Sequence, residues 1–204
     1  MKKLLILGLF LLTGNVFSQD IGVNRADLEN DFSEIKLNTD KLDAFEFRAK
    51  QKVIDFCNYI SLISNKDYDK KLRLHSKETA IELFDTENCA ISDHLIIGGE
   101  SSVNLNTYFD LLLNSDYHKI IGEAEGIVLM EGLRINASGD YVGLIKYKQV
   151  LHLFDEKGKL LQTDRTEKMV NVVLSRKKKN FGQSEKTIWI VSLCDIISVD
   201  TILD

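Results

Sequence analysis

Apolar residues at Leu42, Phe45, Ala49, Val53, Phe56, Ile60 and Ile63 follow one another at steps of three or four. That spacing lays one stripe along a helix of about 3.6 residues per turn and predicts a long amphipathic helix over 40–64. Glu46 and Lys50 add an acid-to-base pair four residues apart, and Thr39 or Asp40 can cap the start. Ser64-Asn65-Lys66-Asp67 then reads as a turn. Tyr68–His75 reads as a short helix, with Ser76 as the cap of another over Lys77–Phe84. Cys89–Ile97 predicts a short strand, stopped by Gly98-Gly99. Ser102 or Asn104 can cap a helix through Asn114 that carries Tyr108, Leu111 and Leu112.

After Asp116 the period shortens to that of strands. Four β-rich segments are expected: Lys119–Ile135, Tyr141–Phe154, Leu160–Arg176 and Lys186–Val199. Asn136–Asp140, Asp155–Gly158 and a longer loop over Lys177–Ser184 separate them. Consecutive strands on short connections make an antiparallel meander, and strands this long need bulges and curvature. Tyr141, Gly143, Ile145 and Tyr147 alternate with Lys146 and Lys148, and the phase slips at Gln149, where a bulge is expected.

The first residues follow another pattern. Met1-Lys2-Lys3 is a positive start, Leu4–Leu12 is apolar apart from Gly8, and Ser18 offers a small residue at a cut. The three parts predict a secretory signal peptide over 1–18, cleaved before Gln19. The apolar run falls short of the roughly 20 residues a membrane span needs. The first cysteine is Cys57, so a lipid-anchoring cut before Cys is not expected. Residues 19–38 read as a flexible or loosely docked arm, and 39–204 as one domain. No later stretch reaches spanning length, so a soluble chain in the periplasm or outside the cell is expected.

Charge changes the picture little. The chain has 26 Lys and Arg against 31 Asp and Glu. Loss of Lys2 and Lys3 leaves a formal −7, which disfavours nucleic acid and anionic membrane as partners. Proline is absent, so turns rest on Gly, Asn, Asp and Ser. Cys57, Cys89 and Cys194 have neither zinc spacing nor a disulfide-framework count. In an oxidising compartment one pair could bridge; otherwise all three are small buried apolar residues.

Helices first, then a short strand, a helix and a four-strand meander: over residues 40–199 this order resembles the NTF2-like (SnoaL-type) superfamily. The matching stretches are Phe45–Ile63, Ala80–Phe84 running into Asp85–Ser92, Asn106–Leu112 and the closing Lys186–Val191 with its Trp189. The resemblance implies an α+β cone, with N-terminal helices packed on a strongly curved antiparallel sheet and a pocket at its open end. For an enzyme it also implies an Asp with His or Tyr inside the cone, as general base or to polarise a carbonyl. Asp195, set in the apolar run Leu193–Ile197, is the pocket candidate, with His152 and Tyr147. An uncompensated buried acid is costly, so the alternatives for Asp195 are a bulge or edge position facing water and a structural pairing with Arg or Lys.

Other charged groups read as solvated. Asp164–Lys168 alternates in sign, as cross-strand pairs on a wet face would. Arg176–Lys179 is a basic run at an expected hairpin tip, and Asn136-Ala137-Ser138 is more simply a turn than a glycosylation acceptor. His94 beside Asp93 lacks a second histidine at ligand spacing, so no metal is expected. No phosphate loop, nucleophile elbow or His-Glu-x-x-His occurs, and no cofactor is expected. Three functions stay open: a binder of a small molecule or partner protein, a cofactor-free isomerase or hydrolyase, and a structural homodimer module.

Overall fold

The computed structural model describes residues 36–98, 102–182 and 184–199. The expected leader and most of the arm lie outside them. The arm's last residues are docked: Leu37 is buried, and its N–H donates to the Tyr141 hydroxyl at 3.1 Å.

Helix α1 spans Thr39–Ser64, and its buried face carries Phe45, Ala49, Val53, Phe56, Ile60 and Ile63. The cap is Asn38 rather than Thr39 or Asp40, its side chain accepting from the Lys41 N–H. The expected pair of short helices is one helix, α2, over Lys70–Ile81 and capped by Asp69. Ser76 is buried within it and starts nothing. Arg73 of α2 ties three helices together, donating at 2.6 Å to the carbonyls of both Ile63 and Leu113. Those carbonyls lie at the C-terminal ends of α1 and of the helix Leu105–Leu113, where helix dipoles favour a cation.

The strand expected over Cys89–Ile97 shrinks to β1, Ala90–Ile91. Asp93 then caps a helical turn, α3, over His94–Ile97. A capping acid halts a strand because its side chain bonds the next backbone N–H groups. Strand β2 is Val103–Asn104, and Asn104 caps α4, Leu105–Leu113. The meander follows as β3 Lys119–Ile135, β4 Tyr141–Phe154, β5 Leu160–Phe181 and β6 Ser184–Ser198. The loop expected over Lys177–Ser184 is strand for most of its length, since Lys177 pairs with Ile188 and Lys179 with Lys186. Gly182, at φ 65°, makes the turn.

The six strands lie in the order β2-β1-β6-β5-β4-β3. The four long strands are antiparallel, and β1 joins β6 in parallel through Ile91 and Ile196. Helix α1 packs on edge strand β3 and also on β6, three places away. One helix can touch both only if the sheet curls around it. Three register shifts in β3, between Glu125 and Arg134, supply the bend. Gly122 permits the close approach of α1: a Cβ there would lie 2.8 Å from the Cys57 carbonyl oxygen.

Phe56 sits at the centre of the core, with ring centroids 5.6, 6.0 and 6.2 Å from Phe84, Tyr108 and Phe109. Trp189 of β6 meets Tyr141 edge to face at 5.4 Å. The element order and the curved open sheet are those the resemblance implies.

Candidate functional site

Register places a polar row on the inner face of the sheet. Tyr147 of β4 pairs with Lys168 of β5, and Lys168 with Ser198 of β6. Directly opposed residues point the same way, so all three side chains face α1 and α4. From the helical side come Tyr108 of α4 and Asp93, the cap of α3.

Asp93 is the hub. Its Oδ2 accepts from the Tyr108 hydroxyl at 3.1 Å and from Gln149 Nε2 at 2.8 Å. Its Oδ1 accepts from the Ile96 N–H at 3.3 Å. Lys168 Nζ lies 4.0 Å from Oδ2 and donates to the Ser92 carbonyl at 2.6 Å and to Ser198 Oγ at 2.9 Å. The Tyr147 hydroxyl donates to Gln149 Oε1 at 3.4 Å. Asp93, Tyr108, Tyr147, Gln149 and Lys168 are each 2% exposed or less.

Burial sets the electrostatics. It lowers the Lys168 pKa, against the opposing pull of the Asp93 and Asp164 carboxylates. It raises Tyr108 well above the usual phenol range, helped by the adjacent Asp93 charge. Tyr147 is raised for the same first reason. Cys57 of α1 faces the same network, and burial pushes its thiol up to about 12.

Two of the three residues expected in a pocket sit elsewhere. Asp195 is exposed and accepts from the Ala90 N–H at 2.8 Å. It stands in a β6 bulge, where Leu193 and Ile196 oppose Val172 and Val170. His152 has the parity opposite to Tyr147, faces outward and bonds Thr163 Oγ1 at 2.9 Å. Of the three only Tyr147 enters the core, so they do not converge. The bulge expected at Gln149 is absent: β4 pairs with β5 without a shift from Tyr141 to Leu153. The apparent slip is a polar residue pointing inward.

The charged run in β5 divides by parity. Glu167 faces out and pairs with Lys146 at 2.9 Å, as a wet face predicts, whereas Lys168 faces in. Further along, Lys177 pairs with Asp85 and Lys178 with Glu185. Asn136 Oδ1 accepts from the N–H groups of Ser138 and Asp140, fixing a turn there. Among the described residues no cluster of three His, Cys, Asp or Glu could hold a metal. No helix among them is long and apolar enough to cross a membrane.

The outer face of the sheet carries an open groove of about 470 Å³. Val128 and Met130 line it together with the charged Glu125, Lys146, Lys148 and Glu167.

No family model matches the chain, and none of the curated proteins does. Two solved structures are similar to it. One is the "Putative Scytalone Dehydratase" of Novosphingobium aromaticivorans DSM 12444, with TM-score 0.43 and 10% identity over 79% of this chain and 89% of that one. The other is a hexachlorocyclohexane dehydrochlorinase (LinA) Type2, with TM-score 0.31 and 11% identity over 78% and 95%. At these values neither likeness carries an argument about chemistry. The order of elements and the curled sheet are the chain's own. The fold is α+β, with helices packed on a curled, open six-stranded sheet.

Proposed function

We propose that the protein is an exported, non-catalytic module that binds a partner protein on the outer face of its curved sheet. One observation carries the non-catalytic part: the interior polar groups are saturated by one another. A general base must reach a substrate proton. Here Asp93 accepts from Tyr108, Gln149 and the Ile96 N–H, and Lys168 is occupied by Ser92 and Ser198. A closed, satisfied network of this kind fixes how the helices seat on the sheet.

The outer face supports the binding part. Val128 and Met130 of the groove, and Val142 beyond it, are exposed on this face along β3 and β4. A small ligand would cover only part of that strip, whereas a protein segment matches its length. The charges of both signs that line the groove suit a partner that carries both signs. Export rests on the pattern of residues 1–18, and a mature chain beginning at Gln19, read by mass spectrometry of protein from its host, checks it.

The rival is a cofactor-free isomerase or hydrolyase, favoured by an acid, a lysine and two tyrosines meeting in one core. It requires that the core open to small molecules. Native protein treated with a small acylating reagent, then mapped residue by residue, separates the two. Lys168 is expected to react slowest among the lysines, at a rate set by unfolding. Acylation at the rate of exposed lysines would replace the binder with the enzyme.

A further inference from the structure

Two of the three cysteines are brought together by the backbone. The chain leading into β1 runs beside β6 and is tied to it at both ends. Phe84 bridges Leu193, with the Asp85 N–H on the Leu193 carbonyl at 2.8 Å and the Leu193 N–H on the Leu83 carbonyl at 2.9 Å. Ile91 pairs with Ile196, and the Ser92 N–H donates to the Ile196 carbonyl at 2.8 Å. Cys89 lies between these anchors on one strand of the chain, and Cys194 lies between them on the other. The neighbours of the two cysteines are bonded as well, Ala90 N–H to Asp195 Oδ1. Cys89 Sγ lies 3.8 Å from Thr86 Oγ1; Cys89 is near enough to Cys194 to help raise its pKa, whereas the groups acting on Cys57 are Lys168 and Asp93.

We propose that Cys89 and Cys194 form a disulfide, a staple joining the β1 segment to β6 once the protein meets a disulfide oxidant such as oxidised glutathione. Cys194 is partly exposed where Cys89 is buried, and reacts first. Its thiolate attacks one glutathione sulfur, forming a mixed disulfide and expelling one glutathione thiolate. Cys89 then loses its proton to water and attacks the Cys194 sulfur, expelling the second. Two protein thiols are oxidised, and one glutathione disulfide becomes two thiols.

Burial and the facing Cys89 push the Cys194 thiol up to about 12. Its thiolate is therefore scarce near neutral pH, so closure is slow and quickens as pH rises. That rate suits a link made once rather than a switch. The staple closes a loop of about a hundred residues, in the range where a cross-link restricts the unfolded chain most. It also braces the turn that presents Ser92 and Asp93 to Lys168.

The test uses the whole mature chain, purified reduced and incubated with oxidised glutathione at pH 8.5. The expected product is lighter by two hydrogens, with a Cys89–Cys194 peptide, Cys57 still alkylatable, and a melting temperature raised by roughly 5–15 °C. A Cys57→Ser chain is expected to give the same product. A lasting mixed disulfide on Cys194, a link through Cys57, no oxidation, or a lowered melting temperature would each overturn the proposal. The in-cell link depends on the export proposed above; this reaction in the test tube does not, so the two can fail separately.

Discussion

Lys168 Nζ and Asp93 Oδ2 stand 4.0 Å apart with both side chains 3% exposed or less, and each is also held by neutral partners. At that depth, removing one partner leaves the other as a buried charge with less compensation. Lys168→Met and Asp93→Asn are each expected to destabilise by about 3–5 kcal/mol. The double variant removes both charges, so its loss should fall short of the sum by at least about 1 kcal/mol. Urea unfolding of the four chains gives the coupling. A strictly additive cycle would mean that the two groups do not sense each other.

The same core makes the fold sensitive to alkali. Cys57 holds its proton to about 12 when folded, against an ordinary value of 9.0. Between those values the folded state binds more protons than the unfolded state. Its contribution is therefore complete below pH 9 and is lost as pH rises, at about 1.4 kcal/mol per unit. Tyr108 and Tyr147, also raised by burial, act in the same direction above pH 10. Lys168 acts oppositely, because its lowered pKa means that the unfolded state holds the extra proton as pH nears 10.5. Cys57→Ala should flatten the decline of stability between pH 9 and 10.5, and Lys168→Met should steepen it. Denaturant midpoints across that range read both slopes, and unchanged slopes would remove the core thiol from the account.

How far the sequence shows this core depends on the residue. The stripe from Phe45 to Ile63 and the bounds of β3 and β4 follow from period alone. The β5–β6 hairpin does not, because Arg176–Lys179 looks like a loop until β6 pairs with it. Lys168 was legible in principle: it shares parity with the inward Val170, Val172 and Leu174. Gln149 likewise shares parity with Tyr147 and Leu151. What hides them is that polar residues are usually exposed, so their polarity masks the phase they share with the inward positions. Asp93 was not legible, since its partners lie 15, 56 and 75 positions away, and only the folded topology joins them. Asp195 shows the reverse: an acid in an apolar run is explained by one bulge, which turns it to solvent.

Gly122 tests how tightly α1 seats. A methyl group there meets a backbone carbonyl oxygen of Cys57 at 2.8 Å and Ile60 Cβ at 3.4 Å, neither of which can swing aside. Gly122→Ala is expected to destabilise by about 1–3 kcal/mol, although alanine suits a strand at least as well as glycine does. Thermal unfolding reads the loss. A neutral or stabilising result would show that α1 can shift away from β3 without cost.

The outer groove can be probed without knowing the partner. Met130 and Val128 are 55% and 53% exposed and contribute little to the core. Met130→Asp should therefore change stability by no more than about 0.5 kcal/mol. It should nevertheless lower the affinity of the native protein for an apolar fluorescent dye, because a charge replaces one of the two exposed apolar side chains that line the groove. Light scattering of the parent chain at low micromolar concentration adds a second reading. A dimer that Met130→Asp converts to monomer would make the partner a second copy of this chain; a monomer with dye binding lost leaves the face for a different protein. If Met130→Asp binds dye as the parent does, the groove is not the apolar site, and the binding assigned to this face fails with it.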